Sequence, residues 1–220
     1  MNTVLMFVKH LLPSILLVLF LLGCETEDSL NEADTTDIED PELTTAHDRF
    51  WENLSQYCGR AFRGSLTLEP EGDEMLEGDE ELVVHFRQCD EEELRLPFHI
   101  EEDDDQWDRS RTWVFMRHDD ALELRHDHRH EDGIEEDNTW YGGSTQDEGT
   151  AYRQQFLYEE RTAEDGSPLG WRVEIEPGER YTYGTISGEE WTWRVDFDLT
   201  DEVDLPPAPW GHEDTEAFGE

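Results

Sequence analysis

Between residues 191 and 199 the chain alternates without a break: Trp191, Trp193, Val195, Phe197 and Leu199 are apolar, and Thr192, Arg194, Asp196 and Asp198 between them are polar. Successive side chains of a β-strand point to opposite faces, so a period of two marks a strand with one face buried and the other in water. The same alternation sets Leu94, Leu96, Phe98 and Ile100 against Arg95, Pro97 and His99, and Trp171, Val173 and Ile175 against Arg172, Glu174 and Glu176. Further strands are predicted over 61–69, 81–89, 109–118, 121–130, 138–146, 151–160 and 180–187. Turn formers separate them, among them Asp119-Asp120, Glu131-Asp132-Gly133, Gly166-Ser167-Pro168, Pro177-Gly178 and Ser187-Gly188.

One helix is expected ahead of these strands. Thr44 or Thr45 can cap it, Phe50, Trp51, Leu54 and Tyr57 fall on one helical face, and Gly59 supplies a stop. A single helix cannot cover the apolar face of about ten short strands, whereas a sheet closed on itself buries that face and leaves no edge. The expected fold is therefore all-β: an up-and-down antiparallel barrel whose N-terminal helix plugs or flanks one end, with a β-sandwich as the alternative. This layout resembles the calycin group, which includes the lipocalins and the ten-stranded fatty-acid-binding barrels. The resemblance is one of architecture, with no Gly-x-Trp signature at the first strand, and it implies no function.

The two ends differ from this middle. Lys9 and His10 precede an apolar run that ends in Leu21-Leu22-Gly23-Cys24. A run this short after a basic residue reads as a secretory signal; an uncleaved membrane-spanning anchor is the alternative. Its ending resembles the lipobox of bacterial lipoproteins, which implies removal of residues 1–23 and acylation of Cys24, with diacylglycerol and palmitate. Acyl chains give lasting attachment to a membrane, because each buried methylene contributes about 0.8 kcal/mol. Glu25, in place of Asp, favours the periplasmic face of the outer membrane within the cell envelope. Residues 24–45 are acidic and poor in apolar side chains, the composition of a flexible tether. Residues 46–205 then form the barrel domain, and 206–220, with Pro206, Pro207 and Pro209, an irregular acidic tail.

Charge narrows the partners. The chain has 58 Asp plus Glu against 16 Lys plus Arg, a formal net charge of −42, and Lys9 is its only lysine. Such a surface repels nucleic acid and anionic lipid headgroups. It suits concentrated salt, where screening removes most of the self-repulsion, and a saline habitat is the expected setting. Beyond Cys24 the cysteines are Cys58 and Cys89. An oxidising compartment and an even count predict one disulfide between them, two buried free thiols being the alternative. Phosphate loops, dinucleotide fingerprints and EF-hand spacing are absent, and Ser144 after Gly142-Gly143 lacks the Gly-x-Ser-x-Gly context of a nucleophile, so no catalytic residue is assigned.

The stretch 126–130, HDHRH, places a histidine at every second position. On a strand over 121–130, Leu122, Leu124, His126, His128 and His130 share one face and Glu123, Arg125, Asp127 and Arg129 the other. The histidines thus continue the inward stripe, from the middle of the barrel towards one mouth. Arg111, Trp113, Tyr181, Tyr183, Trp191 and Trp193 are expected on other inward stripes. Together with the three histidines they would wall a pocket for a small hydrophobic, amphipathic or anionic ligand, with Arg111 able to pair with a carboxylate. Alternatively, His126 with His128, or His128 with His130, could hold zinc or copper in a metal-binding protein or metalloenzyme, given a third ligand such as His99, His85 or an acid. A third reading leaves the histidines as a hydrogen-bonded structural network in an envelope protein without ligand.

The segments Arg109-Ser110-Arg111-Thr112-Trp113-Val114, His126-Asp127-His128-Arg129-His130-Glu131-Asp132-Gly133, Tyr141-Gly142-Gly143, Arg153-Gln154-Gln155-Phe156 and Glu174-Ile175-Glu176-Pro177-Gly178, with the closing Phe197-Asp198-Leu199, also resemble an uncharacterised family of secreted or lipid-anchored bacterial proteins. That resemblance implies a shared domain with the histidine-rich strand at its heart and no particular activity.

Overall fold

The computed structural model describes residues 44–70, 76, 80–103, 106–215 and 217. The expected signal segment, Cys24 and the tether up to residue 43 lie outside these. Thr45 opens the helix α1 (Ala46–Ser55) with a reciprocal cap: its hydroxyl accepts from the Asp48 amide at 3.1 Å, and the Asp48 carboxylate accepts from the Thr45 amide at 2.8 Å. Phe50, Trp51 and Leu54 are buried on one side of α1, and the chain leaves through Gly59, whose φ of 80° falls where a residue with a Cβ is strained.

The strands follow as β1 (Ala61–Leu68), β2 (Leu82–His85), β3 (Gln88–Cys89), β4 (Glu93–Asp103), β5 (Gln106–Arg117), β6 (Leu122–His128), β7 (Tyr141–Ser144), β8 (Arg153–Thr162), β9 (Pro168–Glu176), β10 (Arg180–Ser187) and β11 (Glu190–Val203). From β4 to β11 each pairs antiparallel with the next; β11 pairs with β1, β1 with β2, and β2 with β4. The described residues thus form a closed ten-strand up-and-down barrel, the calycin-like architecture expected from the alternation. The short β3 is an extra strand beside β4. It continues the line of β2: the expected strand 81–89 is interrupted at Phe86 and Arg87, where the pairing with β4 slips by one residue between Val84 opposite Phe98 and Gln88 opposite Arg95, while the Phe86 amide still bonds the Arg60 carbonyl at 2.9 Å.

The barrel's interior is packed with the apolar stripes of these strands, among them Phe62, Leu96, Phe115, Phe156, Tyr181 and Phe197, all essentially inaccessible. At one end α1 completes this core. Asn53 donates to the Ala151 carbonyl at 2.8 Å, the Gly178 amide donates to the Tyr57 hydroxyl at 2.5 Å, and the disulfide Cys58–Cys89 ties the segment after α1 to β3, with its Cα atoms 6.1 Å apart. The β6–β7 loop and the β10–β11 turn lie at the other end, which α1 does not cover.

Among the described residues, the chain after β11 forms no strand, yet it is held along the outer face of β2, β4, β5 and β6. His99 donates to the Pro207 carbonyl at 2.9 Å, Arg109 to the Ala208 carbonyl at 2.7 Å, the Trp210 amide to the Arg109 carbonyl at 3.1 Å, and His212 to the Asp127 carboxylate at 2.9 Å. Outward-pointing Val83, His85, Pro97, His99, Val114 and Asp127 are buried on this side. Here the sheet is covered on both faces.

Candidate functional site

At the end opposite α1 the packed interior opens into a cavity of about 260 Å³. Six aromatic side chains form most of its wall: Phe98, Trp113, Tyr141, Trp171, Tyr183 and Trp193. The polar part of the lining comes from Arg111, His126, His128 and the Thr185 and Thr192 hydroxyls, which bond each other at 2.7 Å; Pro70 completes it. This volume lies just below the usual range for small-molecule pockets, about 300–1,000 Å³, and the mix of apolar wall with a few polar groups is typical of them.

Alternation along β6 puts His126 and His128 on the inner face, opposite Trp113 and Arg111 of β5. His126 is 3 % exposed. Its ring stacks on Tyr141, centroids 4.6 Å apart and planes within 8°, and leans on Trp171 at 4.7 Å. Nδ1 faces the Tyr141 carbonyl at 3.1 Å, and because a carbonyl can only accept, Nδ1 carries the proton. Nε2 is then an acceptor, and the Tyr183 hydroxyl donates a hydrogen bond to it at 2.5 Å. Burial drives the His126 pKa down to about 3, so the ring is neutral at ordinary pH, and burial likewise pushes the Tyr183 phenol well above its usual value. The pair is a neutral, fully engaged element of the wall.

His128 sits nearer the mouth. The Glu136 carboxylate lies 3.9 Å from its Nδ1 and favours the proton there, which leaves Nε2 to accept from the Tyr141 hydroxyl at 3.1 Å. Burial, with the neighbouring Arg111 charge, lowers its pKa. The Arg111 guanidinium bonds through Nη1 to the Asp108 carboxylate and to Ser110 Oγ at 2.9 Å. Burial would raise the Asp108 pKa, but the Arg111 charge and the bonds from Ser110 outweigh it and hold the carboxyl below its usual value.

The structure therefore brings Arg111, Trp113, His126, His128, Tyr183 and Trp193 of the expected set to one cavity, and it corrects three other positions. His130 does not continue the stripe: β6 ends at His128, the His130 amide bonds the Ile134 carbonyl across the following turn, and the side chain is exposed. Tyr181 points inward but lies deeper, fully buried between Phe86 and Phe197, and does not reach the cavity. Trp191 lies on the outer face. A β-bulge at Thr192 pairs Thr185 with Trp193 but Ile186 with Trp191, so the side-chain parity of β11 shifts by one. The Trp191 indole rests over Gly184 between the Arg172 and Arg194 guanidinium groups, 4.9 and 5.4 Å from its ring centre.

Other lining residues were within reach of the sequence. Phe98 and Trp171 belong to inward stripes already read from alternation, and Thr185 shares the parity of Tyr181 and Tyr183. Tyr141 was masked by Gly142 and Gly143, which carry no side chain to show a period. Both are required as glycine, since a Cβ on Gly142 would lie 1.8 Å from the Leu124 carbonyl oxygen and one on Gly143 2.4 Å from that of Leu157. Thr192 was hidden by the bulge.

For a metal centre, His126 has both ring nitrogens engaged, its ring centre is 6.3 Å from that of His128, and His85 and His99 lie on the outer face of the barrel. Among the described residues no group of three or more His, Cys, Asp or Glu side chains is placed to hold a metal ion. Compared with protein-family models, curated proteins and solved structures, the chain matches none.

Proposed function

We propose that this protein is a binding module that holds a small hydrophobic or amphipathic ligand in the open end of its barrel, on a lipid anchor at the surface of a cell-envelope membrane. The observation that supports binding is the cavity itself, an aromatic-walled space of about 260 Å³ in a barrel otherwise filled with side chains. A purely structural network would need no such space: the hydrogen bonds of His126 and Tyr183 would be equally satisfied if the end were packed. Anchoring is supported by the Leu21-Leu22-Gly23-Cys24 sequence after its apolar run. Mass spectrometry of the protein from membranes is expected to find Cys24 as the acylated first residue; an unmodified Cys24 within an intact chain would refute the anchor.

The neutral dye N-phenyl-1-naphthylamine, bright only in apolar surroundings, tests the cavity. It is expected to bind saturably, one per chain, and Thr185→Trp, which fills the cavity from its wall, to abolish binding while leaving the melting temperature within a few degrees of wild type. Absent binding, or binding unchanged in Thr185→Trp, would show that the cavity is not a ligand site.

A further inference from the structure

Arg111 is tied in an unusual way. In a regular strand residues i and i+3 point to opposite faces, yet Asp108 and Arg111 meet on the inner face of β5. A β-bulge makes this possible: Arg111 is paired with Phe98 and Asp108 with Ile100, so three steps on β5 match two on β4, and the surplus residue turns Asp108 inward. Asp108 is itself fixed by the Ser110 amide at 2.8 Å. As a staple this ion pair does little, because Asp108, Ser110 and Arg111 all belong to one strand and no second strand is joined by it. Its effect is on orientation. Nη1 is pinned by Asp108 and Ser110, whereas Nε and Nη2 bond no group among the described residues, and these two form the edge of a guanidinium that takes a carboxylate through two parallel hydrogen bonds. Flanking Arg111 across the inner face are Phe98 on one side and His128 on the other.

We infer that the ligand carries a carboxylate on a flat apolar body, the carboxylate seated on the Nε–Nη2 edge of Arg111 and the body against the aromatic wall. This rests on the binding reading above and specifies its ligand class. Asp108 keeps the half-buried cation compensated before the ligand arrives, so the site need not hold an unpaired charge in the free protein. A phosphate or sulfonate can also pair with the fork through two oxygens, but a carboxylate is the flat, singly charged group that lies in the guanidinium plane.

Displacement of bound N-phenyl-1-naphthylamine by 3-phenylpropionate and by its neutral amide tests this directly. Wild type is expected to prefer the carboxylate by about tenfold or more, the size of one charge-assisted hydrogen-bond pair. In Arg111→Gln the ratio of acid to amide affinity, measured within the variant and so independent of any change in its dye affinity, should fall to about one; Arg111→Lys, which keeps the charge without the fork, should lose most of the preference. Equal displacement by acid and amide in wild type, or a preference that survives in Arg111→Gln, would overturn the carboxylate while leaving the cavity as a binding site. Failure of the dye to bind at all would remove both.

Discussion

The Tyr183–His126 hydrogen bond is a buried pair in which each partner depends on the other. Tyr183→Phe removes the donor and leaves Nε2 of His126 as an unsatisfied acceptor in a ring that is 3 % exposed, a loss expected to cost about 1–3 kcal/mol. Replacing His126 as well, by Phe, removes the orphaned acceptor, so the double variant should be less destabilised than the two single changes summed. Urea unfolding of the four proteins measures the coupling; additive losses would mean that the 2.5 Å contact contributes nothing. The inward position of His126 was legible from the alternation of residues 122 to 128, because a one-residue slip would have buried Arg125 among leucines. Its tautomer was not legible, since that depends on Tyr141 and Tyr183, brought beside it from two other strands.

At the level of the strand, the chain was most readable where pairing is regular and least where it is interrupted. Trp171, Val173 and Ile175 on β9, and Val195, Phe197 and Leu199 on β11, lie inside as their period demands. Near the open end both β5 and β11 carry bulges, and there parity fails: Trp191 is thrown outward, Thr192 enters the wall, and Asp108 joins Arg111. A bulge inserts a residue without any composition signal, so pattern reading passes across it unaware. The consequence is functional, because both bulges border the cavity and both set which side chains line it. The segment after β11 is the other element that pattern alone could not place. Its prolines and acids read as an irregular tail, and its described residues have no regular secondary structure, but its carbonyls accept from His99 and Arg109 and its His212 reaches Asp127. One hint was present: Pro97 and Val114 put apolar side chains on the face that should be wet, which is what a covered sheet requires.

Across the whole molecule two electrostatic effects oppose each other as pH falls. A net charge of −42 strains the folded chain through self-repulsion, and protonating carboxylates relieves that strain. Three buried histidines act the other way. Burial holds His85 and His126 at a pKa of about 3 and His99 at about 4, against an ordinary value of 6.5. Between about pH 4 and 6.5 the unfolded chain binds protons that the folded chain refuses, so acid favours unfolding, and the stability these neutral rings represent is complete only above the unfolded pKa. Each histidine can add up to about 1.4 kcal/mol per pH unit to the slope within that window. Salt separates the two effects: at 1 M the screening length is about 3 Å, which quenches the long-range repulsion between surface carboxylates but leaves the burial of the imidazoles untouched. In 1 M NaCl, therefore, the melting temperature is expected to fall steadily from pH 7 to pH 4.5, whereas at low ionic strength relief of repulsion should flatten the same titration. Calorimetry at both salt concentrations checks this, and a melting temperature in 1 M NaCl that held constant or rose on acidification would mean that these histidines are not kept neutral by the fold.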